Sequence, residues 1–130
     1  MKSVVICGSG RFKEEAKDFG EKLKKLGAEV YMPHFYREPQ EHWDSLSELD
    51  RTCIALGLTH DHFYKIKMAD TVFVYNKNGY VGNSTTLEIG YAVALGKPIY
   101  ALSEDSDEVC RNVLIRDIIS SPEALLERLK

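Results

Sequence analysis

Cysteine, proline and tryptophan are all scarce in this chain, at 3, 4 and 1 of 130 residues. The three cysteines, Cys7, Cys53 and Cys110, are an odd number without metal-ligand spacing. They predict neither a disulfide framework nor a zinc module, and a reducing cytoplasm is the simple reading of such usage. Long apolar runs are missing as well. None approaches the roughly 18 residues of a membrane span, and the stretch Met1 to Cys7 is too short for a signal peptide. Positive charge is not in excess either: 17 Lys and Arg stand against 20 Asp and Glu, a formal charge of −3. Neither nucleic acid nor a membrane is therefore expected as the partner, whereas a small anion needs only a local site. No repeat, low-complexity tract or linker interrupts the chain. What is present is ordinary: 44% apolar and 28% charged residues argue against disorder. At this length they predict one domain over residues 1–130.

Short β-branched runs alternate with helical periodicity, which predicts an α/β sheet. Val4-Val5-Ile6-Cys7 reads as a strand buried on both faces. Phe12, Ala16, Phe19, Leu23 and Leu26 form a helix stripe closed by Gly27. Ala28 to Met32 reads as the second strand. Residues 33–58 are expected to hold a partly helical excursion from about Glu41, after which Thr59 caps a short helix from His60 to Met68. Thr71 to Tyr75 is the third strand. Ser84 or Thr85 opens a helix to about Leu95, and Ile99 to Leu102 is the fourth strand. Val113-Leu114-Ile115 or Asp117-Ile118-Ile119 supplies a fifth, and Ser121-Pro122 starts the last helix. Four or five such strands imply a mainly parallel sheet, whose ligands lie beyond the carboxyl ends of the strands.

That rule sorts the candidates. Loops leaving strands lie on the functional edge, and the richest is Asn76 to Ser84 with the helix after it. Its amides and hydroxyls stand at a helix N-terminus, which favours an anion or polar ligand. Glu88 follows among Leu87, Ile89, Tyr91 and Ala92, and a carboxylate so placed is costly unless it is paired or used. Its alternative is a cap reaching back toward Ser84. Gly8-Ser9-Gly10 also leaves a strand and opens a helix, with Arg11 and Lys13 nearby, so its amides suit a phosphate. Residue 13 being Lys, this is not the dinucleotide fingerprint. His62 and Asp61 sit where a helix start returns to the functional edge, within reach of a proton transfer to a leaving group. The alternative is an exposed helix cap. Asp70 enters a strand and reads as structural. The aromatic stretch from His34 to Trp43 is core, a stacking surface or an oligomer contact. Cys7 reads as core. His34 and His42 lack partners at ligand spacing, so no metal is expected.

Three pieces together carry a resemblance: the glycine–serine turn at residues 8–10, Ala69-Asp70 before a strand, and Gly82 to Ala92 followed by Ala94-Leu95-Gly96-Lys97-Pro98-Ile99. They resemble the nucleoside 2-deoxyribosyltransferase family, including its 2′-deoxynucleoside 5′-phosphate N-hydrolases. The resemblance implies a flavodoxin/Rossmann-like three-layer sandwich and a nucleoside or nucleotide substrate. It also implies no cofactor and a homodimer or higher oligomer. Glu88 matches the family's nucleophile on C1′. Gly8, Ser9, Gly10, Tyr80, Gly82, Asn83, Ser84 and Thr85 are the implied substrate-binding residues, with Glu88, His62 and Asp61 as catalytic candidates. One position departs. Six residues before the glutamate the transferases carry Asp and the phosphate-preferring hydrolases Ser, whereas this chain has Gly82. That departure favours the alternative of a non-catalytic nucleotide-binding or sensing domain. A cytokinin-activating-type phosphoribohydrolase is a third reading, but Asn78-Gly79-Tyr80 lacks its Pro-Gly-Gly.

Overall fold

Alternating side-chain direction along the central strands divides the interior into two cores. A computed structural model describes residues 1–130. β1 (Val4–Cys7), β2 (Val30–Tyr31), β3 (Thr71–Val74), β4 (Ile99–Ala101) and β5 (Asp117–Ile118) form one sheet in the order β2-β1-β3-β4-β5. Every pairing is parallel, with Val4 beside Thr71 and Cys7 beside Val74. Val4 and Ile6 face one layer, which holds α1 (Lys13–Lys25) and α6 (Pro122–Leu129). Val5 and Cys7 face the other, which holds α3 (Glu48–Met68) and α4 (Asn83–Ala94). The period of two along β1 therefore aims Cys7 at the α3–α4 layer. The fold is the expected α/β three-layer sandwich, and no helix is long and apolar enough to cross a membrane.

The chain leaves β1 in one direction for β2 and returns in the other for β3. The strand order thus switches between β1 and β3, which opens a crevice at their carboxyl ends.

The expected boundaries shift in three places. β2 is only Val30–Tyr31, an edge strand paired on one side. Asp117–Ile118, rather than the run at 113–115, is the fifth strand. The largest correction concerns α3, which starts at Glu48 with Ser47 as its cap, the Ser47 hydroxyl accepting from the Asp50 amide at 3.0 Å. Thr59 is therefore inside a helix and caps nothing. Residues 48–58 contain no proline, and Gly57 alone costs a helix only about 1 kcal/mol. The stripe that would have revealed this helix is blurred, because Leu49 and Leu56 stay exposed. A short helix α2 (Gln40–Ser45) precedes it, where a partly helical excursion is expected from about Glu41, and another short helix, α5 (Val109–Asn112), follows β4.

Candidate active site

Three segments meet at the crevice. The first is the turn after β1. A Cβ on Gly8 would lie 2.9 Å from the Tyr75 carbonyl oxygen, so only glycine lets the turn pass the end of β3. The Ser9 hydroxyl accepts from the Arg11 amide at 3.1 Å and caps a single 3₁₀ turn leading into α1. The second segment is the start of α4. Gly82 is its N-cap without a side-chain cap, so the first-turn amides have no partner within the helix. The third is α3, which brings Leu58, Thr59 and His62 to the opposite wall. With Pro33 to Tyr36 closing one side, they enclose a cleft of about 300 Å³.

The floor of this cleft is polar and buried. His62 lies one turn before buried Ile66 on α3, and Glu88 lies one turn after buried Thr85 on α4. Helix packing therefore turns both side chains inward toward Cys7. His62 Nε2 is 3.0 Å from Glu88 Oε2 and 3.3 Å from Cys7 Sγ. The Glu88 contact is close, yet Oε2 makes no aligned hydrogen bond. Thr85, 1% exposed, also keeps its hydroxyl unpartnered. Burial pushes the Cys7 thiol well above its ordinary pKa, and the nearby Glu88 charge adds to the effect. Three unpaired polar atoms, Glu88 Oε2, His62 Nδ1 and Thr85 Oγ1, thus gather around one cleft. Native interiors rarely leave such groups without a ligand or a task.

The sequence profile described as nucleoside 2-deoxyribosyltransferase matches residues 4–123, nearly the whole chain. The chain belongs to the nucleoside 2-deoxyribosyltransferase family. Solved structures agree on the fold. A conserved protein from Enterococcus faecalis V583 superposes with a TM-score of 0.62 at 17% identity, covering 99% of this chain and 97% of the other. A 2-deoxyribosyltransferase from the psychrotolerant Bacillus psychrosaccharolyticus superposes with a TM-score of 0.60 at 19% identity, covering 95% and 90%. No curated protein sequence matches the chain.

Within this deoxyribosyltransferase-family fold, the cleft collects most of the expected site residues. Gly8, Ser9, Gly10, His62, Gly82, Asn83, Ser84, Thr85 and Glu88 all line it. Glu88 is the sixth residue after the N-cap Gly82, beyond capping-box reach, so it does not serve as the cap that the spacing to Ser84 suggested. Tyr80 stands at the rim rather than in the lining: the Arg11 guanidinium covers its ring at 3.7 Å. The space a side chain would enter at Gly82 faces the Tyr80 hydroxyl, 3.8 Å from an ideal Cβ. Asp61 differs. It pairs with Lys65 at 2.8 Å and stands outside the lining, and the Lys65 hydrogen bond holds its carboxyl below the usual range. An Asp so paired is a poor proton donor. Asp70 is at the opposite edge, bound to Ser3, as expected.

Two features of the site go beyond the sequence expectations: the contact of Cys7 with His62, and the arrival of Leu58 and Thr59 from a longer α3. A signal existed for the first: Cys7 alternates with Val5, and His62 is four residues before Ile66. A larger groove of about 460 Å³ runs between α1 and residues 32–37. Its lining is mostly solvated charge, with Lys13, Lys17, Lys24 and Arg37 among Glu14 and Glu21, and it holds none of the unpaired buried groups.

Proposed function

We propose that the protein cleaves the N-glycosidic bond of a nucleoside or a nucleoside 5′-monophosphate, with Glu88 as nucleophile. One observation carries the reading: a buried carboxylate with an oxygen lacking an aligned partner, on a residue that lines a cleft between two helix-opening turns. A carboxylate oxygen of Glu88 attacks C1′ as the bond from C1′ to the base nitrogen breaks. The base leaves with that electron pair and takes up a proton. The intermediate is a glycosyl ester of Glu88, reached through an oxocarbenium-like transition state. Water or a second base then attacks C1′ and frees the carboxylate. Burial makes the carboxylate effective here, since no water competes for its charge as positive charge develops at C1′.

His62 acts as a positioning residue, because its ring lies 3.0 Å from the Glu88 carboxylate. Phe35 and Tyr36 offer aromatic surface on the cleft wall for a base to lie against. The Gly8-Ser9-Gly10 turn and the first turn of α4 offer amides to a phosphate. Asp61 has no part in the proposal. The same resemblance leads us to expect a homo-oligomer, which light scattering would detect.

The test is Glu88→Gln assayed on a panel of nucleosides and monophosphates. Base release is expected to fall by orders of magnitude with the melting temperature kept, because a neutral amide cannot attack C1′. A 2′-fluoro substrate is expected to leave a covalent adduct on Glu88 by mass spectrometry. Full activity in Glu88→Gln would reject the nucleophile. Gly82, which brings no side chain to the place where relatives carry Asp or Ser, supports a second reading as a non-catalytic nucleotide-binding domain. In that case the panel would bind and no base would be released.

A further inference from the structure

We propose that Cys7, His62 and Glu88 form a binding site for a zinc ion at the floor of the cleft, and that zinc there switches the site off. The three residues come from β1, α3 and α4, and their ligand atoms all lie within 4.8 Å of one another. Sulfur, imidazole nitrogen and carboxylate oxygen make a donor set suited to a borderline-soft divalent ion, not to magnesium or calcium. The spacing fits too. Zinc bonds of about 2.3 Å to sulfur and 2.0 Å to nitrogen and oxygen, at tetrahedral angles, separate S from N by roughly 3.5 Å and N from O by roughly 3.3 Å. The present separations are 3.3 Å and 3.0 Å, and sulfur and carboxylate oxygen lie within 4.8 Å, so an opening of a few tenths of an ångström on the first two sides and an adjustment of the third within that bound admit the ion.

The unloaded arrangement is poorly satisfied, which is the independent reason to expect a ligand. His62 Nε2 faces both Cys7 Sγ and Glu88 Oε2, and one ring nitrogen carries at most one proton. It cannot bond to both, and although the Cys7 thiol is also placed to donate to the Glu88 carboxylate, Oε2 has no aligned bond from the ring and His62 Nδ1 has no partner at all. An ion among the three satisfies all of them at once. Its fourth position would open toward the cleft, where water or a polar ligand fits. On binding, the S–Zn bond replaces the S–H bond and the thiol proton leaves to solvent.

The Glu88 lone pair that binds zinc is not available to attack C1′. This inhibitory consequence rests on Glu88 being the nucleophile, while the binding itself does not. The experiment therefore has two separate readouts. In the first, the purified chain is titrated with zinc chloride against a chromophoric chelator, and with cobalt(II) followed by absorbance. The expected result is one ion per chain with a thiolate-to-cobalt absorption band. Cys7→Ser should abolish the band and weaken zinc by at least the roughly 10–100-fold that outer-shell changes cost metal sites. Since Cys7 is fully buried and its variant can fail to fold, Glu88→Gln is the second probe, expected to weaken zinc while keeping the band. The exposed Cys53 and Cys110 are replaced together by Ser as a control, which should leave binding unchanged. Absence of a stoichiometric ion, or affinity unchanged in Glu88→Gln, would overturn the site. The second readout is base release with zinc and with excess chelator. Zinc binding through these ligands without any effect on base release would leave the metal site standing and reject Glu88 as nucleophile.

Discussion

Two buried carboxylates lie near the start of α4, and they are treated in opposite ways. Asp105, in the loop after β4, has both carboxylate oxygens hydrogen-bonded. Its Oδ1 accepts from the amides of Asp107 at 2.9 Å and Glu108 at 2.8 Å. The Arg111 guanidinium donates to both of its oxygens, at 2.5 Å and 3.1 Å. Arg111 also reaches the Thr86 hydroxyl on α4 at 3.4 Å, so this pair ties the loop to the helix. Glu88, two residues further along α4, has no guanidinium partner and no amide: an unaligned imidazole and the Cys7 thiol are its neighbours. A satisfied carboxylate holds structure together, whereas one short of partners is what the proposed nucleophile requires.

Stability measurements on paired amide variants sharpen that contrast, and here the largest effect is expected. Asp105→Asn keeps the shape but leaves Arg111 beside a neutral amide. The loss should reach about 3 kcal/mol, the lower end of the range for breaking a buried ion pair, since Arg111 is partly exposed. Glu88→Gln should leave stability unchanged or raise it, because an amide is cheaper to bury than an unpaired carboxylate. Denaturant melts of both variants decide the matter. Equal losses would show that Glu88 is as structural as Asp105, and the contrast would fail.

Much of this contrast was legible in the sequence, and part of it was not. The β-branched runs bounded by glycine revealed β1, β3 and β4, because strands buried on both faces leave an unbroken apolar signature. Glu88 stood out for the same reason, as a charge among apolar neighbours. Asp105 did not. Ser103-Glu104-Asp105-Ser106-Asp107-Glu108 reads as a solvated acidic run, and only the fold brings Arg111 back over it. The first half of α3 was hidden because its apolar residues do not form one buried stripe. The alternation along β1 and the four-residue spacing on α3 give the directions of Cys7 and His62, but their contact depends on how the two layers stack.

A pH series is expected to show the next largest effect. Burial alone would raise the Asp105 carboxyl, but the Arg111 hydrogen bonds and the two loop amides outweigh it and hold the group below its usual range. Its folded pKa is thus lower than its unfolded one. The stability it confers is fully present above the unfolded value, about 4, and is lost as pH falls through the folded one. Melting temperatures from neutral pH downward should show wild type losing stability in the acid range by more than Asp105→Asn does. Parallel curves for the two proteins would mean that Asp105 is not the group responsible.

A third carboxylate, at the opposite edge of the sheet, sets the lower end of the scale. Asp70 precedes β3 and locks onto Ser3, which precedes β1. The Ser3 amide and hydroxyl donate to Asp70 Oδ2 at 2.8 Å and 3.1 Å, and the Asp70 amide donates back to the Ser3 hydroxyl at 3.0 Å. This reciprocal clasp aligns the starts of two neighbouring parallel strands. The bonds from the Ser3 amide and hydroxyl hold the Asp70 carboxyl below its usual range, as Arg111 does for Asp105. The difference is solvent: Asp70 is exposed, so water can replace much of what a substitution removes. Asp70→Asn should therefore cost about 0.5–1 kcal/mol, a single ordinary hydrogen bond, and should leave base release at the wild-type rate. If it lowered activity as strongly as Glu88→Gln, the clasp would be coupled to the cleft through β1. The separation of a structural edge from a chemical edge would then be lost.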